Sequence, residues 1–265
     1  MAKTALCVGI NDYPGTSADL SGCVNDVNDW KAALEPRGFK VTTLLDRDAT
    51  KGNLVESLTK LFRDATSGDT VVFQYSGHGS FVADLDGDEA DGRDEVLCPC
   101  DIGSSVYLVD DELHELFGLA KPGVKIVFFS DSCHSGTVSR FRMADPDVDH
   151  GTKSRFLPPE TFLRDFEMPD VAVASRGRRK RRAKAPRALL VSGCLDHQTS
   201  ADAWFGGRAN GAFSYYALRT LKQLPAGATF RQWHAAIRQH LPSVYFMQEP
   251  NLFGSNAQAN WKVFE

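Results

Sequence analysis

Two short polar segments follow apolar stretches and carry residues suited to nucleophilic catalysis. VVFQYSGHGS contains His78 between two glycines, and KIVFFSDSCHSG contains Cys133. An imidazole can take the proton of a thiol and later give it to a leaving amine. A lone Cys after a strand is often a small buried hydrophobe, and a His in a glycine-rich turn is often structural. Because ligands bind beyond the C-terminal ends of parallel strands, we expect both side chains at one edge of a sheet.

Apolar strand-like runs alternate with helix-like segments along the chain. The runs cover residues 4–10, 40–45, 70–75, 124–129 and 187–193, and the helix-like segments cover 20–36, 50–66, 109–120, 210–224 and 229–241. Strands this apolar need burial on both faces. We therefore predict an α/β fold, a three-layer sandwich in which a mostly parallel central β-sheet has helices on both faces.

Residues 141–186 differ from the rest of the chain because they are rich in Pro, Asp and Arg and have little periodicity. They predict a flexible basic linker between a catalytic region, 1–140, and a smaller region, 187–265. The run RGRRKRRAKAPR (176–187) begins within the linker and has eight positive charges and no negative one. Because the whole chain has a net charge of −4, its remainder is acidic, which argues against general nucleic-acid binding.

The composition also limits where the chain could reside. No apolar run approaches the roughly 20 residues of a membrane span, and the N-terminus lacks a signal-peptide cleavage site. Six cysteines without disulfide-framework spacing indicate a reducing compartment, so we predict a cytoplasmic protein that does not bind membranes. Cys98 and Cys100 form one C-x-C without a matching pair, so no zinc is assigned.

YSGHGS and DSCHSG resemble the two catalytic motifs of metacaspases, which are caspase-like cysteine peptidases. GINDYPG, SGCVNDV, DLDGDEADGRDEVLCPCD, LVDDEL and SGCLDHQTSADAW also resemble family segments, so the likeness covers nearly the whole chain. It implies a caspase-like sandwich with large-subunit-like and small-subunit-like regions, as in type I members, here without a prodomain. It further implies that His78 is the general base, that Cys133 is the nucleophile, and that the N–H groups of Gly79 and Cys133 form the oxyanion hole. His134 is interpreted as structural.

Asp131 opposes thiolate formation at Cys133, so it should serve another charged group. A buried carboxylate is best explained by a cationic partner, such as the side chain of a substrate Arg or Lys. The resemblance places the pocket for this side chain, S1, at Cys23, Asp26, Ser76 and Asp131. It therefore implies an endopeptidase that cleaves protein or peptide substrates after Arg or Lys through a thioester acyl-enzyme. Taken alone, Asp26 would be interpreted as a solvated acid near a helix N-terminus.

The basic run has three interpretations: a solvated stretch, a binding site for an acidic partner or nucleic acid, or a self-processing site. An Arg/Lys-specific peptidase favours the third. The candidate cleavage positions are Arg176, Arg178, Arg179, Lys180, Arg181, Arg182 and Lys184. The alternative is a catalytically silent caspase-like scaffold that binds acidic partners through this loop, which the intact His78–Cys133 pair disfavours.

Residues 84–95 are dense in carboxylates, which suit Ca²⁺, although an acidic surface loop is the alternative. The resemblance places activating Ca²⁺ ligands at Asp94, Asp110 and Asp111, but Arg140 stands where a fourth acid is expected. Either the site is lost, or a further acid supplies the ligand; the candidates are Asp84, Asp86, Asp88 and Asp91. No organic cofactor is expected. Pro250 disfavours strand pairing near the C-terminus, so we predict a monomer.

Overall fold

The computed structural model describes residues 1–84, 92–134, 151–163, 187–195 and 197–265. The strands are β1 (Lys3–Gly9), β2 (Lys40–Leu45), β3 (Thr70–Ser76), β4 (Gly79–Ala83), β5 (Arg93–Leu97), β6 (Leu108–Val109), β7 (Lys125–Asp131), β8 (Lys153–Ser154), β9 (Leu189–Ser192), β10 (Ala201–Phe205), β11 (Arg208–Gly211) and β12 (Asn251–Phe253). The α-helices are α1 (Cys23–Leu34), α2 (Lys51–Asp64), α3 (Asp110–Gly118), α4 (Ala212–Leu221), α5 (Phe230–Ile237) and α6 (Asn256–Ala259).

The centre of the fold is a six-stranded sheet in the order β12–β9–β7–β3–β1–β2. All neighbouring strands are parallel except β12, which pairs antiparallel with β9 at one edge. Two smaller sheets, β4–β5–β6 and β8–β10–β11, lie outside it. The predicted mostly parallel sheet is therefore confirmed.

Apolar side chains leave the central strands on both faces, because successive residues of a strand point to opposite sides. On one face Phe73 and Phe128 stack with ring centroids 4.7 Å apart, in a core that also contains residues of α2 and α3. On the other face the rings of Trp30, on α1, and Phe129 have centroids 4.4 Å apart, in a core shared with α4 and α5. These two cores make the three-layer sandwich that the sequence predicts.

The described part of the expected linker, residues 151–163, differs from the prediction of a flexible surface segment. Its strand β8 pairs with β10, and Arg155, Leu157 and Phe162 are 0%, 1% and 4% exposed. Leu157 and Phe162 join the core beside α3, which gives this stretch an apolar anchor. The basic run up to residue 186 lies outside the described residues. No helix of the described chain is long and apolar enough to cross a membrane.

Candidate active site

The candidate nucleophile and base follow two neighbouring strands. β3 and β7 are parallel, and their last residues, Ser76 and Asp131, lie opposite each other, so both following turns leave the same edge. His78 is 3% exposed and Cys133 is 0% exposed. A Cβ atom at Gly79 would lie 2.4 Å from the carbonyl oxygen of Cys133, so only glycine permits this approach of the two turns.

The His78 imidazole is held in one orientation by main-chain contacts. Its Nε2 lies 2.6 Å from the carbonyl oxygen of Ala18, which requires the proton to be on Nε2. Nδ1 is buried and has no hydrogen-bond partner among the described residues, so its lone pair is available to accept a proton. Burial lowers the pKa of His78 to about 4, although hydrogen bonding to the main chain of Ala18 and Arg155 opposes the shift. His78 is therefore neutral near pH 7, as a general base must be.

The Cys133 thiol lies between the β7 turn and the C-terminal region. Its Sγ is 3.9 Å from the carbonyl oxygen of Ser200 and 4.0 Å from Ser154 Oγ. A hydrogen bond to Cys133 and burial raise the pKa of the Cys194 thiol well above its usual value, so Cys194 stays protonated beside it. The neighbouring His134 places Nδ1 3.2 Å from the carbonyl oxygen of Ser80, against β4. This contact agrees with a structural role for His134.

Three buried aspartates surround one guanidinium next to these turns. Arg155 Nη2 lies 2.7 Å from Asp26 Oδ2 and 2.9 Å from Asp202 Oδ1, and Nη1 lies 3.2 Å from Asp131 Oδ2. All four side chains are at most 2% exposed. The structure thus brings the predicted S1 acids Asp26 and Asp131 together around a cation, which is the kind of partner that the sequence demands for Asp131.

The other two predicted S1 residues lie close to this pocket. Cys23 begins α1 and is buried, and burial raises the pKa of its thiol well above the usual value, against the opposing charge of Arg155. Ser76 is buried beside Asp131 across the β3–β7 pair, and its Oγ accepts a hydrogen bond from Gln74 Nε2 at 2.8 Å. Both residues therefore supply small, neutral walls.

Asp202 is a pocket residue that the sequence analysis does not assign. It lies on β10, where it accepts N–H bonds from Ser21 at 2.7 Å and Gly22 at 3.0 Å. One feature of the sequence could have indicated this role: in SADAW, Asp202 stands between two alanines of an apolar strand. A buried acid in such a setting requires hydrogen-bond donors or a cation, and Asp202 has both.

Backbone and hydroxyl donors offset the cost of burying the other two carboxylates. Asp26 accepts the N–H of Gly211 at 2.9 Å, and Asp131 accepts the hydroxyl of Ser200 at 2.6 Å and the N–H of Ser214 at 2.9 Å. A Cβ atom at Gly211 would lie 2.1 Å from Asp131 Oδ2, so glycine is needed at this wall. The protein's own hydrogen-bond donors therefore stabilise negative charge in this pocket.

We expect the binding of a cationic side chain to weaken at acidic pH. Burial raises the pKa of Asp26 to about 6, against the lowering effect of Arg155. Asp26 therefore becomes neutral as the pH falls through about 6, and the pocket loses one of its negative charges. A substrate arginine must replace Arg155, whose charge lowers the pKa of Asp26, so kcat/KM for an arginyl peptide should begin to fall at a pH above about 6. Asp26→Asn should flatten that acid limb of the profile. A pH profile that Asp26→Asn leaves unchanged would contradict this assignment.

The β5–β6 pair brings the predicted calcium ligands to one end of these two strands. Asp94 lies on β5 two residues before Val96, which pairs with Val109, and Asp110 and Asp111 follow Val109 at the start of α3. Across the described ranges, no three His, Cys, Asp or Glu side chains form a group that could hold a metal ion. Asp86, Asp88, Asp91 and Arg140 lie outside those ranges. The calcium site therefore stays a prediction.

A parallel sheet with a buried Cys and His at one edge defines a thiol-dependent hydrolase of the caspase-like class. Residues 3–141 match the family model described as "Metacaspase, peptidase C14 domain". The chain is 32% identical over 289 residues to Metacaspase-1 of Mycosarcoma maydis, covering 96% of this chain and 70% of that protein. It is 31% identical over 292 residues to Metacaspase-1B of Neosartorya fischeri, covering 98% and 70%.

A solved structure also has a similar fold. A crystal structure of a Geobacter sulfurreducens protein superposes with a TM-score of 0.75 at 31% identity, covering 100% of this chain and 98% of that one. The chain belongs to the metacaspase family and is a cysteine-type endopeptidase.

Proposed function

We propose that this peptidase cleaves after arginine or lysine. The single observation that supports this specificity is the Arg155 guanidinium, which is fully buried among Asp26, Asp131 and Asp202. A planar guanidinium can donate to several carboxylates at once, whereas an acidic side chain would be repelled by all three. A lysine would satisfy fewer of these acceptors, so arginine should be preferred.

The Cys133–His78 pair would carry out the reaction through a thioester. His78 Nδ1 takes the thiol proton, the sulfur attacks the carbonyl carbon, and the imidazolium then protonates the leaving amine. Gly79 is suited to the oxyanion hole because its N–H already donates to a peptide carbonyl, that of Arg155, at 2.9 Å. The Cys133 N–H is proposed as the second donor. Water then hydrolyses the thioester and restores the thiol.

Two fluorogenic peptides that differ only at P1 test the proposed specificity. We expect kcat/KM for P1 Arg to exceed that for P1 Asp by at least about 100-fold, because burying a further negative charge beside three carboxylates is strongly unfavourable. The Cys133→Ala variant measures the background cleavage by contaminating peptidases. Equal or faster cleavage after Asp would refute the pocket assignment.

Calcium stimulation is a second, separate proposal about this activity. It depends on the resemblance that points to Asp94, Asp110 and Asp111, which lie at one end of the β5–β6 pair. No step of the reaction above depends on the ion. Repeating the P1 Arg assay with EGTA and with millimolar Ca²⁺ tests calcium stimulation. Equal rates in the two conditions would refute it.

A further inference from the structure

The segment Lys153–Leu157 crosses the active site as an extended strand. The Arg155 N–H donates to the Ser200 carbonyl at 3.0 Å, and β8 continues this pairing antiparallel to β10. On the other side, Gly79 N–H donates to the Arg155 carbonyl and Leu157 N–H donates to the Gly79 carbonyl, both at 2.9 Å. The backbone is therefore fixed on both sides of the Arg155–Phe156 peptide bond, as expected for a bound substrate.

Successive side chains of this segment enter different sites. Arg155 fills the acidic pocket, and the next residue, Phe156, stacks on Phe81 with ring centroids 6.0 Å apart and planes at 20°. Leu157 is buried in the core. On the opposite side of Arg155, Lys153 Nζ donates to the carbonyl oxygen of Asp19 at 2.7 Å. The contacts thus alternate along the strand as distinct subsites.

Residues of this segment share contacts with both catalytic side chains. Ser200, whose carbonyl accepts the Arg155 N–H, is also the residue whose carbonyl lies 3.9 Å from Cys133 Sγ. A cleft of about 340 Å³ beside His78 is lined in part by Ser154 and Phe156. An ion pair alone would not require the Arg155 carbonyl to accept a hydrogen bond from Gly79, the proposed oxyanion-hole donor.

We propose that Arg155–Phe156 is the bond at which the chain cleaves itself, and that Lys-Ser-Arg↓Phe-Leu represents its preferred substrate. Cys133 sulfur bonds to the Arg155 carbonyl carbon, the bond to the Phe156 nitrogen breaks, and that nitrogen receives the proton held by His78. Water then releases Arg155 as a free carboxylate and returns the proton to Cys133. This inference depends on the proposed Arg specificity, and it differs from the basic run as the processing site.

The uncut segment also excludes other substrates, because Arg155 occupies the pocket that a substrate arginine needs. Cleavage after Arg155 frees the new N-terminus at Phe156 and allows the strand to leave. Activity towards added peptides should therefore begin with a lag, and the lag should end as the cut accumulates.

The test follows the purified full-length chain over time, with and without Ca²⁺, by intact mass and by sequencing of new N-termini. Wild type should yield an N-terminus at Phe156, and cleavage of an added P1 Arg peptide should rise in parallel. Phe156→Pro should slow the cut at least 100-fold. Its lost N–H donates only to Ser154 Oγ, at 3.2 Å, so the Arg155 ion pairs can persist. Arg47→Gln, at an exposed pair with Asp12, is the matched control and should process normally.

A second measurement keeps the result independent of folding defects in the variants. A free peptide with the sequence of residues 152–158 should be cut between Arg and Phe by the processed enzyme, and the same peptide with Gln for Arg should not. If Arg peptides are cleaved but the chain starts its new N-terminus within residues 177–185, or stays intact, the inference fails and the proposed function stands. If no Arg peptide is cleaved in any state of the chain, the proposed function fails as well.

Discussion

His78→Ala is expected to lower kcat/KM for a P1 Arg peptide by about 10³-fold, because the reaction loses both its base and its proton donor. Nδ1 is the only imidazole nitrogen free to act, since Nε2 is engaged by the Ala18 carbonyl at 2.6 Å. The loss should appear in kcat more than in KM, because His78 does not line the acidic pocket. Because His78→Ala could not cut itself, wild type and variant are both assembled from co-expressed residues 1–155 and 156–265. Steady-state kinetics on these enzymes, together with the rate of Cys133 alkylation by iodoacetamide, would measure both effects.

His134→Ala is the control for this experiment. His134 adjoins the nucleophile in sequence, but its ring lies against Ser80 and Glu95, with Nε2 3.9 Å from the Glu95 carboxylate. We expect its kcat/KM to stay within about threefold of wild type, because a surface-side contact of this kind contributes little. A large loss at His134 with activity retained at His78 would overturn the assignment of the base.

Asp131→Asn is expected to reduce kcat/KM for a P1 Arg peptide by about 10²- to 10³-fold. Breaking one partner of a buried ion pair costs about 3–5 kcal/mol, and 1.4 kcal/mol corresponds to a factor of ten. The new amide would also direct N–H groups towards positions where the Ser200 hydroxyl and Ser214 N–H now donate. Comparing P1 Arg with an uncharged P1 residue should show that the loss is confined to the arginyl substrate.

Asp64→Asn is the matched control at the surface. Asp64 is 66% exposed and pairs with Lys60 on the same helix. Its substitution should leave kcat/KM nearly unchanged, because exposed ion pairs contribute little. Thermal unfolding of both variants separates a pocket effect from a stability loss. An Asp131→Asn enzyme that folds and cleaves P1 Arg normally would remove Asp131 from the specificity site.

The sequence predicts features that depend on local pattern, and it does so reliably here. The apolar runs ending near Ser76 and Asp131 identify two parallel strands, and the polar residues that follow them meet at one sheet edge. The electrostatic conflict between Asp131 and Cys133 likewise predicts a cationic partner before any coordinates are known. These inferences need only strand period and charge.

Asp202 and Arg155 could not be predicted in the same way, because their roles arise from long-range packing. Arg155 is one basic residue in a polar stretch, and nothing in the local sequence pattern indicates its 0% exposure. Asp202 reaches the pocket because β10 passes Ser21 and Gly22, which precede α1 and donate their N–H groups to the Asp202 carboxylate. Such contacts between residues far apart in sequence have no local signature.

The position of β9 has a consequence for the enzyme as an assembly. β9 pairs with β7, so the C-terminal region completes the central sheet, and that same region supplies Asp202 to a pocket whose other acids come from before residue 132. Any break between these strands leaves a heterodimer of two polypeptides, each with an incomplete pocket. Such an enzyme would be held together without a covalent link, by strand pairing, a shared apolar core and hydrogen bonds such as those of Asp202 with Ser21 and Gly22. Its half-life after processing would be set by fragment dissociation.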